Sequence, residues 1–224
     1  MKKINGNLTF DEMSSVMSEI LNGKNDDDAI AEFLKDLSSK GETNEELRAM
    51  FTKMNEYSVN INPRCHGNLI DVCGTGGDNL QTFNISTTVA FVVAVAGVRV
   101  AKHGNRAFSS KSGSADVLKY LGVNIDASLP TVERCIEEVG IGFLFAPLMH
   151  KAMKHAAAVR NELGFRTIFN LLGPLTNPAN AHAQVLGVFD SKWVTPLAEV
   201  LRELGSRHAL VVHGFDGLDE ITLT

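Results

Sequence analysis

From residue 69 onward the sequence alternates short apolar runs with helical periodicities, and this alternation leaves few folds open to the chain. Candidate strands fall at 69–72, 98–101, 141–145, 185–189 and 209–212, and candidate helices near 84–96, 113–121, 131–139, 151–163 and 192–204. Such an order predicts a mostly parallel sheet with helices on its faces and ligands outside the carboxyl ends of the strands. Three polar segments stand at that end: GTGGD after the first strand, KHGNR after the second and HGFDGLDE after the last. NLLGPLTNPAN, residues 170–180, interrupts the alternation and reads as a long irregular connection.

The N-terminal part has a different period. Thr9 with Glu12, and Thr43 with Glu46, form capping boxes ahead of Met13, Val16, Met17 and Ile20, and of Leu47, Met50 and Met54. Between them Asp26–Asp28 precede Ile30, Phe33, Leu34 and Leu37, with Gly23 and Gly41 as stops. Three short amphipathic helices follow, each with one apolar stripe to bury, which predicts a small helical bundle or interface.

A formal charge of −5 argues against a general nucleic-acid surface, so basic residues that meet phosphate must be gathered locally. Cys65, Cys73 and Cys135 are odd in number and lack C-x-x-C spacing, which disfavours a disulfide framework and a zinc knot. The start, MKKINGNLTFDEM, has the charge of a signal peptide but no apolar core, and no later run reaches membrane-spanning length. A cytoplasmic protein is expected.

Residues 71–86, DVCGTGGDNLQTFNIS, run from a strand end through a glycine turn to a polar helix start. Glycines admit a ligand close to backbone N–H groups, and a helix N-terminus favours an anion; a plain connection needing positive φ would read the same way. Lys102, His103, Asn105 and Arg106, followed by Ser109, Ser110, Lys111, Ser112, Gly113 and Ser114, suit a multiply charged phosphate or a solvated loop. Neither segment is a nucleotide P-loop or a G-x-G-x-x-G fingerprint. Asp219 and Glu220 are paired acids at a strand end, as in Mg²⁺ sites that share the ion with substrate phosphates, and as in solvated turns. Arg160 reads as a structural ion pair, with Glu162 as one partner, or as a receptor for a carboxylate. His103, His150 and His155 fit no recognisable catalytic order.

Together GTGGD, FNIST, KHGNR with SSKSGSADVL, VRNELGFRTIFNLLGPLTNP and GLDEIT resemble the anthranilate phosphoribosyltransferases of tryptophan biosynthesis, within the nucleoside phosphorylase-like phosphoribosyltransferase family. The resemblance implies transfer of a phosphoribosyl group from phosphoribosyl pyrophosphate (PRPP) to the amine of anthranilate, with Mg²⁺ as cofactor. It implies PRPP binding by Gly74, Thr75, Gly77, Asp78, Asn84, Ser86, Thr87, Lys102, Asn105, Arg106 and the loop through Ser109, Ser110, Lys111, Ser112, Gly113 and Ser114. Anthranilate would meet Gly74, Asn105, Arg160, His103 and His150, and the metal Ser86, Asp219 and Glu220. The implied fold class is α/β: a small helical domain over residues 1–66, joined by part of 164–182, and a larger α/β PRPP-binding domain over 67–224. A homodimer through the helical domain is expected, with no nucleic-acid or membrane partner.

Departures are few. Lys151 and Ala158 replace usual prolines, and Phe108 a usual small residue. Family members run well past Thr224, so the α/β domain is expected to be incomplete here, with an exposed sheet edge. The competing readings are a pyrimidine-nucleoside phosphorylase, whose lysine–serine–glycine–arginine motif differs from KHGNR, and a non-catalytic phosphate- or nucleic-acid-binding relative.

Overall fold

The computed structural model describes residues 4, 6–65, 67–76, 80, 82–107 and 112–223. In chain order the elements are α1 (Phe10–Leu21), α2 (Asp27–Lys40), α3 (Asn44–Glu56), β1 (Leu69–Gly74), α4 (Ile85–Val95), β2 (Arg99–Gly104), α5 (Ser114–Tyr120) and α6 (Leu129–Arg134). They continue with β3 (Ile141–Phe145), α7 (Ala146–Met149), α8 (Lys154–Leu163), α9 (Ile168–Leu172), β4 (Ala183–Gly187), α10 (Val194–Glu203) and β5 (His208–Val212). The chain forms two compact units, Met1–Ser58 with His150–Thr176 and Val59–Met149 with Asn177–Thr224. The sequence places the boundary at 66/67 and the return within 164–182; the units divide earlier because α8 packs on α1 and α2.

The first unit is helical. Thr9 and Thr43 make the expected capping boxes with Glu12 and Glu46, satisfying donors that a helix start leaves open. Met13, Met17, Ile20, Ile30, Leu34, Leu37, Leu47 and Met50 are fully buried: α1 packs on α3, and α2 on α8 and α9. Glu46 is buried with them: Oε1 accepts the Leu8 N–H at 2.8 Å, and Oε2 the Thr43 N–H and Lys40 Nζ, each at 2.8 Å. The segment 170–180 is less irregular than expected. Its first part belongs to α9 and a 3₁₀ turn at Gly173–Leu175, because Phe169, Leu171, Leu172 and Leu175 are buried and order it.

The second unit is built on a sheet that, among the described residues, has five strands, all parallel, in the order β3-β2-β1-β4-β5. Strand β1 is central, and the chain reverses direction across the sheet between β1 and β4, the switch point where parallel sheets open a crevice. One core gathers Leu69, Ala101, Val132, Ile136, Leu144 and Met149. Two strands extend beyond the sequence reading: β1 takes in Cys73 and Gly74, and β2 takes in Lys102, His103 and Gly104. The polar KHG triplet is thus strand, because its backbone partners β3 through Lys102↔Phe143, His103↔Leu144 and Gly104↔Phe145. Strand β5 lies at the sheet edge, with Leu210 57% exposed.

Candidate active site

All five strands point the same way, so residues 74–76, the end of KHGNR and the 213–220 segment lie at one end of the sheet. Thr75 fastens the first of these. Its N–H donates to the Gly187 carbonyl at 2.9 Å, and its Oγ1 accepts the Phe189 N–H at 3.0 Å, tying the turn after β1 to the end of β4. Gly76 follows at φ +65°, a left-handed conformation that suits glycine.

The acidic pair comes to the same switch point. Asp219 Oδ2 lies 3.2 Å from where a Cβ on Gly74 would stand, and a Cβ on Gly187 would collide with the Asp219 carbonyl. Glycine at 187 is what lets the backbone of the 213–220 segment seat there, whereas a Cβ at Gly74 would ask only a small shift of the Asp219 side chain. That segment is a tight turn, with the Gly214 N–H donating to the Leu218 carbonyl at 2.8 Å and His213 Nδ1 lying 2.7 Å from the Val188 carbonyl oxygen.

Lys102 is only 2% exposed. Its Nζ donates to the Val72 carbonyl at 2.6 Å and to Ser86 Oγ at 3.3 Å. Burial lowers its pKa, while the charges of Asp71, Cys73 and Glu220 act to restore it. Asp71 is fully buried, and its pKa is raised by burial against the opposing pull of Lys102, Asn177 and the His103 N–H. Burial, then the Asp71 charge, holds the Cys73 thiol well above its usual range, and Gln184 Nε2 donates to its sulfur at 2.9 Å.

A second cluster joins the start of α4 to the segment before α5. Asn84 precedes α4 without a side-chain cap; its Nδ2 donates instead to the Ser112 carbonyl at 3.1 Å. Thr87 Oγ1 donates to Ser114 Oγ at 3.0 Å. Ser86 lies within the helix, not at its cap. Asn105 accepts the Ala115 N–H on its carbonyl and the Arg106 N–H on Oδ1. Arg106 is held by Asp116 at 3.3 Å and lies over the Phe145 ring, and Asp116 Oδ2 also accepts the Ala107 and Gly113 N–H groups at 2.9 Å. Gly77, Asp78, Ser109, Ser110, Lys111 and Phe108 lie outside the described residues.

His150 and Arg160 belong to the helical unit. His150 Nε2 is 3.5 Å from Thr176 Oγ1, and burial lowers its pKa to about 4, so the ring is neutral at pH 7. Arg160 stacks over Phe169 at 5.2 Å, and burial lowers its pKa to about 10, which leaves it cationic.

Two residues outside the sequence-derived set are built into the sheet end. Asp71 accepts the His103 N–H at 3.2 Å and Asn177 Nδ2 at 2.7 Å; the same Nδ2 donates to the Ala101 carbonyl at 2.8 Å. Asp71 reads as one polar residue in a strand and Asn177 as turn chemistry. A charged side chain inside an apolar run was the one available signal.

The oxygen-only set of Ser86, Asp219 and Glu220 suits a hard cation. Among the described residues no group of three or more His, Cys, Asp or Glu could hold a metal ion. Also among the described residues, no helix is long and apolar enough to cross a membrane.

The chain belongs to the glycosyl transferase family, matching its helical bundle domain over residues 2–58 and its a/b domain over 66–224. Within that family its relatives are anthranilate phosphoribosyltransferases. That of Thioalkalivibrio sulfidiphilus is 56% identical over 96% of this chain and 64% of its own length, and that of Petrotoga mobilis 56% identical over 97% and 63%. The crystal structure of anthranilate phosphoribosyltransferase from Thermus thermophilus superposes with a TM-score of 0.88 at 47% identity, covering 97% of this chain and 65% of that one. The Saccharomyces cerevisiae enzyme in complex with PRPP and Mg has a TM-score of 0.86 at 28% identity, covering 96% and 64%. The chain thus spans about 64% of the length of the curated relatives it matches.

Proposed function

We propose that this chain carries the PRPP-binding part of an enzyme that transfers the phosphoribosyl group from PRPP to the amine of anthranilate, releasing pyrophosphate, in tryptophan biosynthesis. The observation that carries the reading is the convergence of Ser86, Lys102, Asp219 and Glu220 from three separate segments at one sheet end. Thr75, Asn84, Thr87, Asn105, Arg106, Ser112, Gly113 and Ser114 hold the surrounding walls, with Gly74 at the first turn. For anthranilate, the family resemblance offers Arg160 as the partner of its carboxylate, and names Asn105, His103 and His150 as further contacts.

Departure of pyrophosphate builds oxocarbenium character on the ribose and negative charge on the leaving group. Lys102 brings a cation to that charge, and the N–H groups at the start of α4 add positive potential. Ser86, Asp219 and Glu220 would hold Mg²⁺, whose chemistry there is neutralisation of pyrophosphate charge. Anthranilate attacks as the neutral amine, so no strong base is needed. Positioning supplies roughly 7–11 kcal/mol, whereas one general base contributes about 10²–10⁴-fold, so orientation and electrostatics dominate. His150 is neutral at pH 7 and so would bring no charge to a substrate it meets.

The reading entails a cytoplasmic location and a homodimer, which cell fractionation and sedimentation of the intact protein test in turn. The reaction itself is tested by anthranilate fluorescence: it decays on mixing intact enzyme with PRPP and Mg²⁺, and a flat trace at high enzyme concentration overturns the assignment.

A further inference from the structure

The pairing of β1 with β2 is short. The other three strand interfaces each register five residue pairs, but β1 and β2 register two, Leu69↔Arg99 and Ile70↔Val100. Beyond them side chains take up backbone groups of both strands. Asp71 accepts the His103 N–H, Asn177 donates to the Ala101 carbonyl, and Lys102 Nζ donates to the Val72 carbonyl. Asn177 closes the ring by donating to Asp71 at 2.7 Å, and its own Oδ1 is held by the Ala179 N–H at 2.9 Å. Lys102 therefore sits between two backbone groups, the His103 N–H held by Asp71 and the Ala101 C=O held by Asn177, which is itself hydrogen-bonded to Asp71.

We infer that Asp71, clamped by Asn177, is a positioning residue that sets where Lys102 presents its ammonium at the sheet end. The inference rests on the PRPP reading, since Lys102 is the group through which Asp71 acts. Asp71 is fully buried and Asn177 is 9% exposed, so neither is placed to touch substrate from open solvent. A buried carboxylate held by Asn177, the His103 N–H and Cys73 is costly to assemble for strand pairing alone, because ladder hydrogen bonds would do the same work without desolvating a charge. Its geometric effect is to hold β2 at Lys102 from both sides.

The test is a double-mutant cycle in the intact enzyme, reading PRPP affinity by calorimetry with Mg²⁺ present and the KM for anthranilate by fluorescence. Asp71→Asn keeps shape and removes the charge; it should weaken PRPP binding about tenfold and leave the anthranilate KM within about twofold. In a Lys102→Gln background the same change should have no further effect on PRPP affinity. Additive losses, or unchanged PRPP affinity in a less stable protein, overturn the inference while leaving the transferase reading in place. Wild-type enzyme that fails to bind PRPP overturns both. Should Asp71→Asn not fold, Asn177→Ser carries the same cycle with the same two outcomes.

Discussion

Arg160 shows how burial sharpens a single residue. Its guanidinium is stacked on Phe169 and partly withdrawn from water, yet with a pKa near 10 it keeps its charge. A cation so placed gains more from a carboxylate than one in open solvent, because the attraction is less screened. We expect Arg160→Ala to raise the KM for anthranilate at least about tenfold while changing that for PRPP little, measured by initial rates over both substrates. His150 gives the opposite case, a ring kept neutral. Its folded pKa of about 4 lies below the ordinary histidine value of 6.5, so the stability it lends is whole above pH 6.5 and is lost as pH falls toward 4. The loss amounts to about 3 kcal/mol. Urea unfolding at pH 7 and pH 4.5 should show the drop, and His150→Gln should remove this part of it.

At the scale of elements, the helical unit depends on Glu46, which caps α3, receives Lys40 and takes the Leu8 N–H from the chain before α1. Glu46→Ala leaves a buried N–H without its acceptor and removes the cap, so urea unfolding should report a loss of roughly 3 kcal/mol. The capping boxes that announce this role were readable because their partners stand three residues apart. The strands were readable too, but their ends were not. Lys102 and His103 look like loop residues, and it takes the register with β3 to make them strand. The site followed the same division. Ser86 and Asp219 stand in short motifs and could be picked out, whereas Asn177 meets Asp71 across 106 positions and has only turn-like neighbours. Distance along the chain, not chemistry, hid it. Gly187 belongs to this scale as well. Gly187→Ala would drive a Cβ into the Asp219 carbonyl, so this variant, like Asp219→Asn with Glu220→Gln, should shift the Mg²⁺ titration of activity. Unchanged metal titrations in the double variant would remove the acidic pair from the metal site.

For the molecule as a whole, a net charge of −5 and the strongly anionic substrate proposed above pose an electrostatic conflict. Lys102 and the start of α4 meet it at the sheet end of the second unit. Ligand that binds only the folded state must then stabilise the protein. PRPP with Mg²⁺ at 100 times its dissociation constant should add about 2.7 kcal/mol, visible as a raised unfolding midpoint that Lys102→Gln abolishes. Apolar surface is also on view in this unit, with Val92 65% and Val95 91% exposed on α4. The short β1–β2 pairing bears on how such a unit can be rebuilt. Ladder hydrogen bonds survive almost any exchange of side chains, but where Asp71, Lys102 and Asn177 replace them the spacing of the strands is written in three particular residues. A loop transplanted from a relative would keep its alignment only if all three travelled together, which makes this trio, distant in sequence, a single unit of grafting.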